Sequence, residues 1–318
     1  MKKALYVATV DIHIKSFHLP YLKLLHDKGY EVHVATNGDE RFPFCDVKHQ
    51  ICIERSPFKL SNLKAITQLK RIIETEKFDI IHCHTPMGSV VTRLAAKTAR
   101  KKYGTRVIYT AHGFHFYKGA PKLNWFLFYP IEKYLAKYTD TLITINNEDF
   151  AQMKKMACKK VYHINGVGVD TDRYHKCKID RYSYRNSIGL TDKDIAVLEV
   201  GELSERKNHR VIIEALSKLE DERYVFLICG KAMTNFGTYD FLKKYAEEKN
   251  VRVKFLGFRK DIPELNKCAD IAVLPSLREG LGLAGIEALA SGVPVIGSRV
   301  QGIKDYVIDG KTGYLCSP

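Results

Sequence analysis

The sequence predicts an α/β protein built from two consecutive doubly wound, Rossmann-like domains. Three observations carry this. The chain has 318 residues, enough for two domains of about 150 each. Short Val/Ile-rich runs alternate with amphipathic stretches along its length, the pattern of parallel sheets covered by helices. The texture also breaks after Asn165, where Gly166-Val-Gly-Val-Asp-Thr-Asp172 and the charged stretch 173–186 interrupt the alternation. The expected organisation is a first domain at 1–170, a connection at 171–190 and a second domain at 191–318.

In the first domain, strands are expected at 4–10, 31–36, 49–54, 79–84, 106–111, 141–146 and 160–165, with a loop over 11–20. Leu19, Leu22, Leu24 and Leu25 precede Lys28-Gly29, a helix stop. Ile66, Leu69, Ile72 and Ile73 recur at helical spacing, and 123–138 reads as a helix that Pro130 kinks or splits. In the second domain, strands are expected at 195–200, 224–229, 253–256, 271–274 and 293–297, with helices from about Asn208, Asp240, Ile262 and Leu283. Sheets of this kind bind ligands outside the carboxyl ends of their strands, so the two domains are expected to face a shared cleft. The sequence stops after Gly313-Tyr-Leu-Cys-Ser-Pro318, where such a domain normally continues into closing helices, so a truncated C-terminal end is expected.

With 45% hydrophobic and 27% charged residues, the chain is not a disordered one. No apolar run approaches the ~18–20 residues that span a bilayer. The opening Met1-Lys-Lys-Ala-Leu-Tyr reads as the start of a buried strand rather than a signal peptide, because the apolar stretch ends at Asp11. The eight cysteines are scattered without metal-type spacing, which points to free thiols in a reducing, cytoplasmic setting. A net charge of +15 favours an anionic partner: nucleic acid, an acidic membrane surface or a phosphorylated small molecule. The alternative is a solvated surface with a basic bias. Neither a recognition-helix motif nor basic residues interleaved with stacking aromatics on a sheet is evident, so no nucleic-acid partner is expected.

The most informative stretch is IAVLPSLREGLGLAGIEALASGVPVIGS over 271–298: strand, glycine-containing loop, helix, strand. Gly280 and Gly282 permit close backbone approach. The helix that follows starts with unpaired N–H groups and a positive dipole end, a natural diphosphate site. Glu279 sits in the loop and Glu287 about a turn and a half into the helix. Carboxylates accept paired hydrogen bonds from vicinal hydroxyls such as those of a ribose or hexose. Taken alone, two glutamates so spaced are more often surface residues.

These residues, with Gln301-Gly302, Asp309-Gly-Lys-Thr-Gly-Tyr-Leu315, Asn165-Gly-Val-Gly-Val-Asp170 and Val200-Gly-Glu-Leu-Ser-Glu-Arg-Lys-Asn208, closely resemble glycosyltransferase family 4, retaining enzymes of the GT-B fold. The resemblance covers essentially the whole chain. It implies transfer of a sugar from a nucleotide-diphosphate sugar, most simply a UDP-sugar, to a glycan or polyprenyl-diphosphate-linked acceptor. By resemblance, Glu279 contacts the donor sugar, Glu287 the ribose, and the amides of Gly280, Leu281, Gly282 and Leu283 the sugar–phosphate region. Lys207 matches the family's leaving-group lysine, Arg206 supports it, and Arg259 is a further donor-side candidate. Many members carry Arg where this chain has Glu202, so part of the usual diphosphate clamp is absent or is supplied by Arg206 from a shifted position.

Thr110-Ala-His-Gly-Phe-His-Phe-Tyr-Lys118 matches the family's His-Gly element, in which His112 reaches the donor sugar; a purely structural histidine is the alternative. The strand around His82 and His84 also resembles the family, with a packing or hydrogen-bonding role expected. The loop starting at Asp11 resembles a subgroup serving bacterial capsule and exopolysaccharide assembly, with His13 and Lys15, and beside them Asp11 and His18, as acceptor-side candidates. No Asp-x-Asp pair lies in a suitable loop, so neither a metal nor a cofactor is expected. The aromatics and lysines of 114–129, with the basic cluster Lys97, Arg100, Lys101, Lys102 and Arg106, suit peripheral binding to an anionic membrane, or else form core and solvated surface. Other readings are a GT-B-type epimerase or hydrolase, which needs a water-activating carboxylate, a basic nucleic-acid-binding protein, and an inactive fragment that only binds nucleotide.

Overall fold

The computed structural model describes residues 1–231 and 238–318 and divides into two compact units, Met1–Val167 and Gly168–Pro318. The first runs β1 (Lys2–Val10), α1 (Asp11–Phe17), α2 (Leu19–Asp27), β2 (Tyr30–Asn37), β3 (Val47–Gln50), α3 (Ser61–Glu76), β4 (Ile80–His84), α4 (Pro86–Ala95), α5 (Lys97–Lys102), β5 (Arg106–Ala111), α6 (Lys122–Leu135), β6 (Thr141–Thr144), α7 (Asn147–Met153) and β7 (Lys160–His163). Its strands form one parallel sheet ordered β3-β2-β1-β4-β5-β6-β7. Strand β1 is buried from Ala4 to Thr9. Leu5 and Val7 join one hydrophobic core and Tyr6 and Ala8 another. Successive side chains of a strand point to opposite faces, so a continuous apolar run means helices on both sides.

The second unit runs α8 (Thr171–His175), α9 (Arg181–Ser187), β8 (Ile195–Val200), α10 (His209–Ser217), β9 (Tyr224–Cys229), α11 (Thr238–Glu248), β10 (Val253–Phe255), α12 (Ile262–Cys268), β11 (Ile271–Leu274), α13 (Leu283–Ala290), β12 (Val295–Ser298) and β13 (Gly313–Cys316). Its parallel sheet is ordered β10-β9-β8-β11-β12-β13. In each sheet the strand order reverses once, beside β1 and β4 in the first and beside β8 and β11 in the second. Chain connections leave such a point in opposite directions and open a crevice at the carboxyl ends of the strands.

Several local expectations change. The stretch after β1 is helical from its first residue rather than a loop: Ile14 is fully buried beneath it, and Asp11 places an acid in the first turn. Helix α6 passes through Pro130 without splitting, because Phe126, whose carbonyl loses its donor, lies on an exposed face where water can replace it. Strand β3 sits earlier than expected, at Val47–Gln50, and a terminal strand β13 pairs with β12 where none was expected. The charged segment after Asp170 is not a free connection. Asp170 and Asp180 cap α8 and α9 by accepting from Arg173 N–H and Ser183 N–H, both at 3.2 Å. Buried Arg185 then anchors the segment to the second unit through the carbonyl of Cys268 at 2.9 Å and Asp270 at 3.2 Å. All eight cysteines are free, and Cys83, Cys229 and Cys268 are buried.

Candidate functional site

In the second unit, the carboxyl ends of β8 and β11 bring together residues more than seventy positions apart in sequence. Glu279, 8% exposed, is the centre. Its Oε1 accepts from Lys207 Nζ at 2.7 Å, Ser276 Oγ at 2.9 Å and Arg206 Nη1 at 3.1 Å. Burial works against ionisation of Glu279, but Lys207 and Arg206 outweigh it and hold the carboxyl below its ordinary range. Arg206 also donates to Glu202 at 2.9 Å and to the Arg278 carbonyl at 3.0 Å. Glu202 thus takes the place of the family's arginine and orients Arg206 from four residues away.

The backbone explains why the chain can be so tight here. A side chain at Gly201 would put its Cβ 2.9 Å from Lys207 Cε, so glycine lets the lysine stem cross the strand end. The Leu277 N–H donates to the Arg206 carbonyl at 2.9 Å, tying the loop after β8 to the loop after β11. Gly282 caps α13 with φ +78°, a left-handed conformation that favours glycine, and no side chain caps the helix end. The Tyr306 hydroxyl donates to the Gly282 carbonyl at 2.8 Å and steadies that turn. Leu281 is buried while Leu283 is half-buried, on either side of this turn.

Glu287 lies on α13, half-buried, with its carboxylate accepting from the Tyr174 hydroxyl of α8. Burial raises its pKa. Arg259 is elsewhere: it pairs with Asp261 through Nε at 2.9 Å and stacks by Tyr184, and no contact joins it to the Glu279 group among the described residues. Behind Lys207 lie two residues that the sequence reading passed over. Glu199 and His209 are 2% exposed and 3.5 Å apart. Burial pushes Glu199 well above its ordinary value and His209 down to about 4, so His209 is neutral at pH 7 and the contact is not an ion pair. Glu199 lies within an apolar strand, the one sequence signal that could have drawn attention to it.

In the first unit, His112 follows β5 and meets His84 of β4, with 3.3 Å between His112 Nε2 and His84 Nδ1. His13 packs edge-on against His112 at 4.7 Å between ring centroids. Lys15 does not join them. It is two residues from His13 on a helix, roughly 200° around the axis, and its ammonium is exposed and paired with Glu40. Asp11 is also taken up structurally, accepting from Thr36 Oγ1 and from the Glu40 N–H at 2.9 Å. His18, named only in passing by the sequence reading, is 2% exposed within the same group of rings. No described helix is long and apolar enough to cross a membrane.

Two parallel α/β units, with a cation–carboxylate cluster at the strand-order reversal of the second, define a GT-B glycosyltransferase. Residues 3–146 match the family Glycosyl transferase 4-like and residues 180–318 the family Glycosyl transferases group 1. The chain belongs to glycosyltransferase family 4. It is 44% identical over 321 residues to the putative glycosyltransferase EpsD of Bacillus subtilis, covering 99% of this chain and 83% of that protein. It is 30% identical over 270 residues to an Escherichia coli UDP-Gal:alpha-D-GlcNAc-diphosphoundecaprenol alpha-1,3-galactosyltransferase, covering 80% and 67%. Anabaena Alr3699/HepE, solved with UDP-glucose, shares the fold at a TM-score of 0.80 and 20% identity, covering 100% of this chain and 86% of that one.

Proposed function

We propose that the chain transfers a sugar, with retention, from a nucleotide-diphosphate sugar to a glycan or polyprenyl-diphosphate-linked acceptor. A UDP-sugar is the donor that the relatives' names favour. The observation that carries the reading is the Lys207–Glu279–Arg206 cluster beside the uncapped, glycine-led start of α13. Two cations and a helix N-terminus suit a diphosphate that gains charge as its bond to the sugar breaks. Glu279, ionised, accepts from sugar hydroxyls, Glu287 binds the ribose, and His112 contacts the sugar.

In the reaction, the bond from the anomeric carbon to the donor phosphate oxygen breaks, and the acceptor oxygen attaches on the same face. The acceptor proton passes to the departing phosphate oxygen, so no enzymatic nucleophile is needed. The protein's part is positioning and stabilisation of the leaving group. Lys207 and Arg206 do this in place of a divalent ion, so turnover does not need added Mg²⁺ or Mn²⁺.

We further assign the chain to the cytoplasmic membrane surface. Helix α6 exposes Leu123, Phe126, Leu127, Ile131 and Tyr134 at helical spacing, flanked by Lys122, Lys133 and Lys137. An apolar stripe with a basic border fits the interface of an anionic bilayer, where a polyprenyl-linked acceptor resides.

The test is a panel of UDP-, GDP- and ADP-sugars read by thermal shift, since a ligand that binds only the folded state raises its apparent stability. One nucleotide class raises the midpoint, and Glu287→Ala weakens its affinity. A panel without any shift overturns the donor assignment.

A further inference from the structure

The first unit contains a group of four histidines of which the transfer reaction accounts only for His112. His13 and His18 come from α1 and the turn before α2, His84 from the end of β4 and His112 from the residue after β5. The strands involved, β1, β4 and β5, are neighbours, so their carboxyl ends converge on one spot. One ring nitrogen from each of the four lies within 4.8 Å of the others.

These nitrogens are poorly satisfied. His18 and His84 are 2% and 1% exposed. Both nitrogens of His18, Nε2 of His84 and Nε2 of His13 are buried without a hydrogen-bond partner. Folded proteins rarely leave so many buried polar atoms unpaired in one place, and a single ion would engage one nitrogen of each ring. Burial lowers the pKa of His13 to about 4, His18 to about 2 and His112 to about 3, and that of His84 well below its ordinary value. Four neutral imidazoles offer lone pairs, not positive charge, which disfavours an anion.

We propose that His13, His18, His84 and His112 form a binding site for one Zn²⁺ or similar transition-metal ion. Imidazole nitrogen is a ligand for Zn, Cu, Ni and Fe, whereas Mg²⁺ and Ca²⁺ take oxygen. Around tetrahedral Zn²⁺ with bonds of about 2.05 Å, ligand nitrogens stand about 3.3 Å apart. The candidate nitrogens lie within 4.8 Å of one another, so the rings would close by up to about 1.5 Å around the ion. His13 lines a cavity of about 410 Å³ that also borders Thr9, Ser16 and Thr85 and provides an entry path. The ion would clamp α1 and the turn before α2 to the ends of two strands. With Nε2 bound to the ion, His112 would carry its hydrogen on Nδ1, fixing its tautomer. The site uses none of Lys207, Arg206 or Glu279. A second group, Glu31, His33 and Glu76, also has ligand spacing, but Lys3 Nζ already occupies it, 2.6 Å from Glu76 and 3.3 Å from Glu31.

The test uses the full chain carrying no histidine tag, stripped with EDTA and titrated with Co²⁺ as a spectroscopic probe. The expected result is uptake of one Co²⁺ per chain with the intense visible absorption of a four-coordinate nitrogen site, displaced by Zn²⁺ but not by Mg²⁺ or Ca²⁺. At a hundredfold excess of Zn²⁺ over Kd, the thermal midpoint rises by roughly 5–10 °C. His84→Asn and the cavity-facing His13→Gln lose the absorption, with folding checked by circular dichroism, while His33→Gln keeps it. Absence of stoichiometric Co²⁺ in the wild-type chain overturns the site whether or not the variants fold, as does an unchanged spectrum in both ligand variants.

Discussion

Replacing Lys207 by methionine keeps the stem that crosses Gly201 and removes the charge. The ammonium donates to Glu279 at 2.7 Å, and the two side chains are 11% and 10% exposed. Breaking a buried ion pair by removing one partner costs about 3–5 kcal/mol. Here Arg206 at 3.1 Å and Ser276 at 2.9 Å remain on the same oxygen, so the carboxylate is not orphaned. A loss at or below the low end of that range, about 2–3 kcal/mol, is therefore expected, together with a rise in the Glu279 pKa. Neutral Glu279→Gln removes the other side of the pair, so the double variant should recover about 1.5–3 kcal/mol relative to the sum of the single losses. Urea unfolding of the four proteins measures this. For turnover, loss of one leaving-group cation should lower kcat by roughly 10²–10³-fold, with a smaller change in KM. Additivity of the two stability losses within about 0.5 kcal/mol would refute the pairing. A kcat within a few-fold of wild type would remove Lys207 from the chemistry even if the pair stands.

Arg93, fully buried, meets Glu132 through two hydrogen bonds of 2.8 and 3.0 Å and lies over the Tyr109 ring. Arg93→Met leaves a buried carboxylate and should cost about 3–5 kcal/mol in urea unfolding, while adding Glu132→Leu should restore most of it. Burial works against ionisation of Asp140, but Arg100 at 2.6 Å and the Val107 N–H at 2.9 Å outweigh it and hold its pKa down, from 3.8 to about 2. The stabilisation is therefore complete above pH about 4 and lost as pH falls through about 2. Asp140→Asn should be less stable by about 2 kcal/mol at pH 7, with the gap narrowing below pH 4 in urea titrations. Phe126→Ser, at a 76% exposed position, should weaken sedimentation with anionic vesicles by roughly 10-fold or more while changing fold stability by under about 0.5 kcal/mol. Equal vesicle binding would argue against α6 as the membrane face.

Much of the second unit's architecture was legible because its signals are local. The run 271–298 shows strand, glycine turn, helix and strand in consecutive residues, and β11, the Gly282 cap and α13 lie where those residues predict. The expected strand at 293–297 begins at Val295 instead, after Pro294, which has no N–H to give a ladder. The segment 171–190, expected as a connection, contains the two short helices α8 and α9. Arg185 is anchored by the Cys268 carbonyl and the Asp270 carboxylate, more than eighty residues along the chain, as well as by the nearby Thr191 and Asp194 carbonyls. Lys15 and His13 read alike as acceptor candidates in a loop, but a helix there sends them to different faces.

The sequence by itself determined the α/β class, most of the order of elements along the chain and the candidate carboxylates and cations at 206, 207, 279 and 287, because periodicity, glycine placement and motif spacing act over a few residues. Tertiary structure decided what those groups meet. It put Lys207 on Glu279, set Glu202 to orient Arg206, and placed buried Glu199 and His209 behind them. It also gathered four histidines at or beyond the carboxyl ends of β1, β4 and β5, whose neighbourhood exists only in the sheet order. The reason is physical: parallel strands become adjacent through long crossover connections, so residues at their carboxyl ends meet without any regular spacing in sequence.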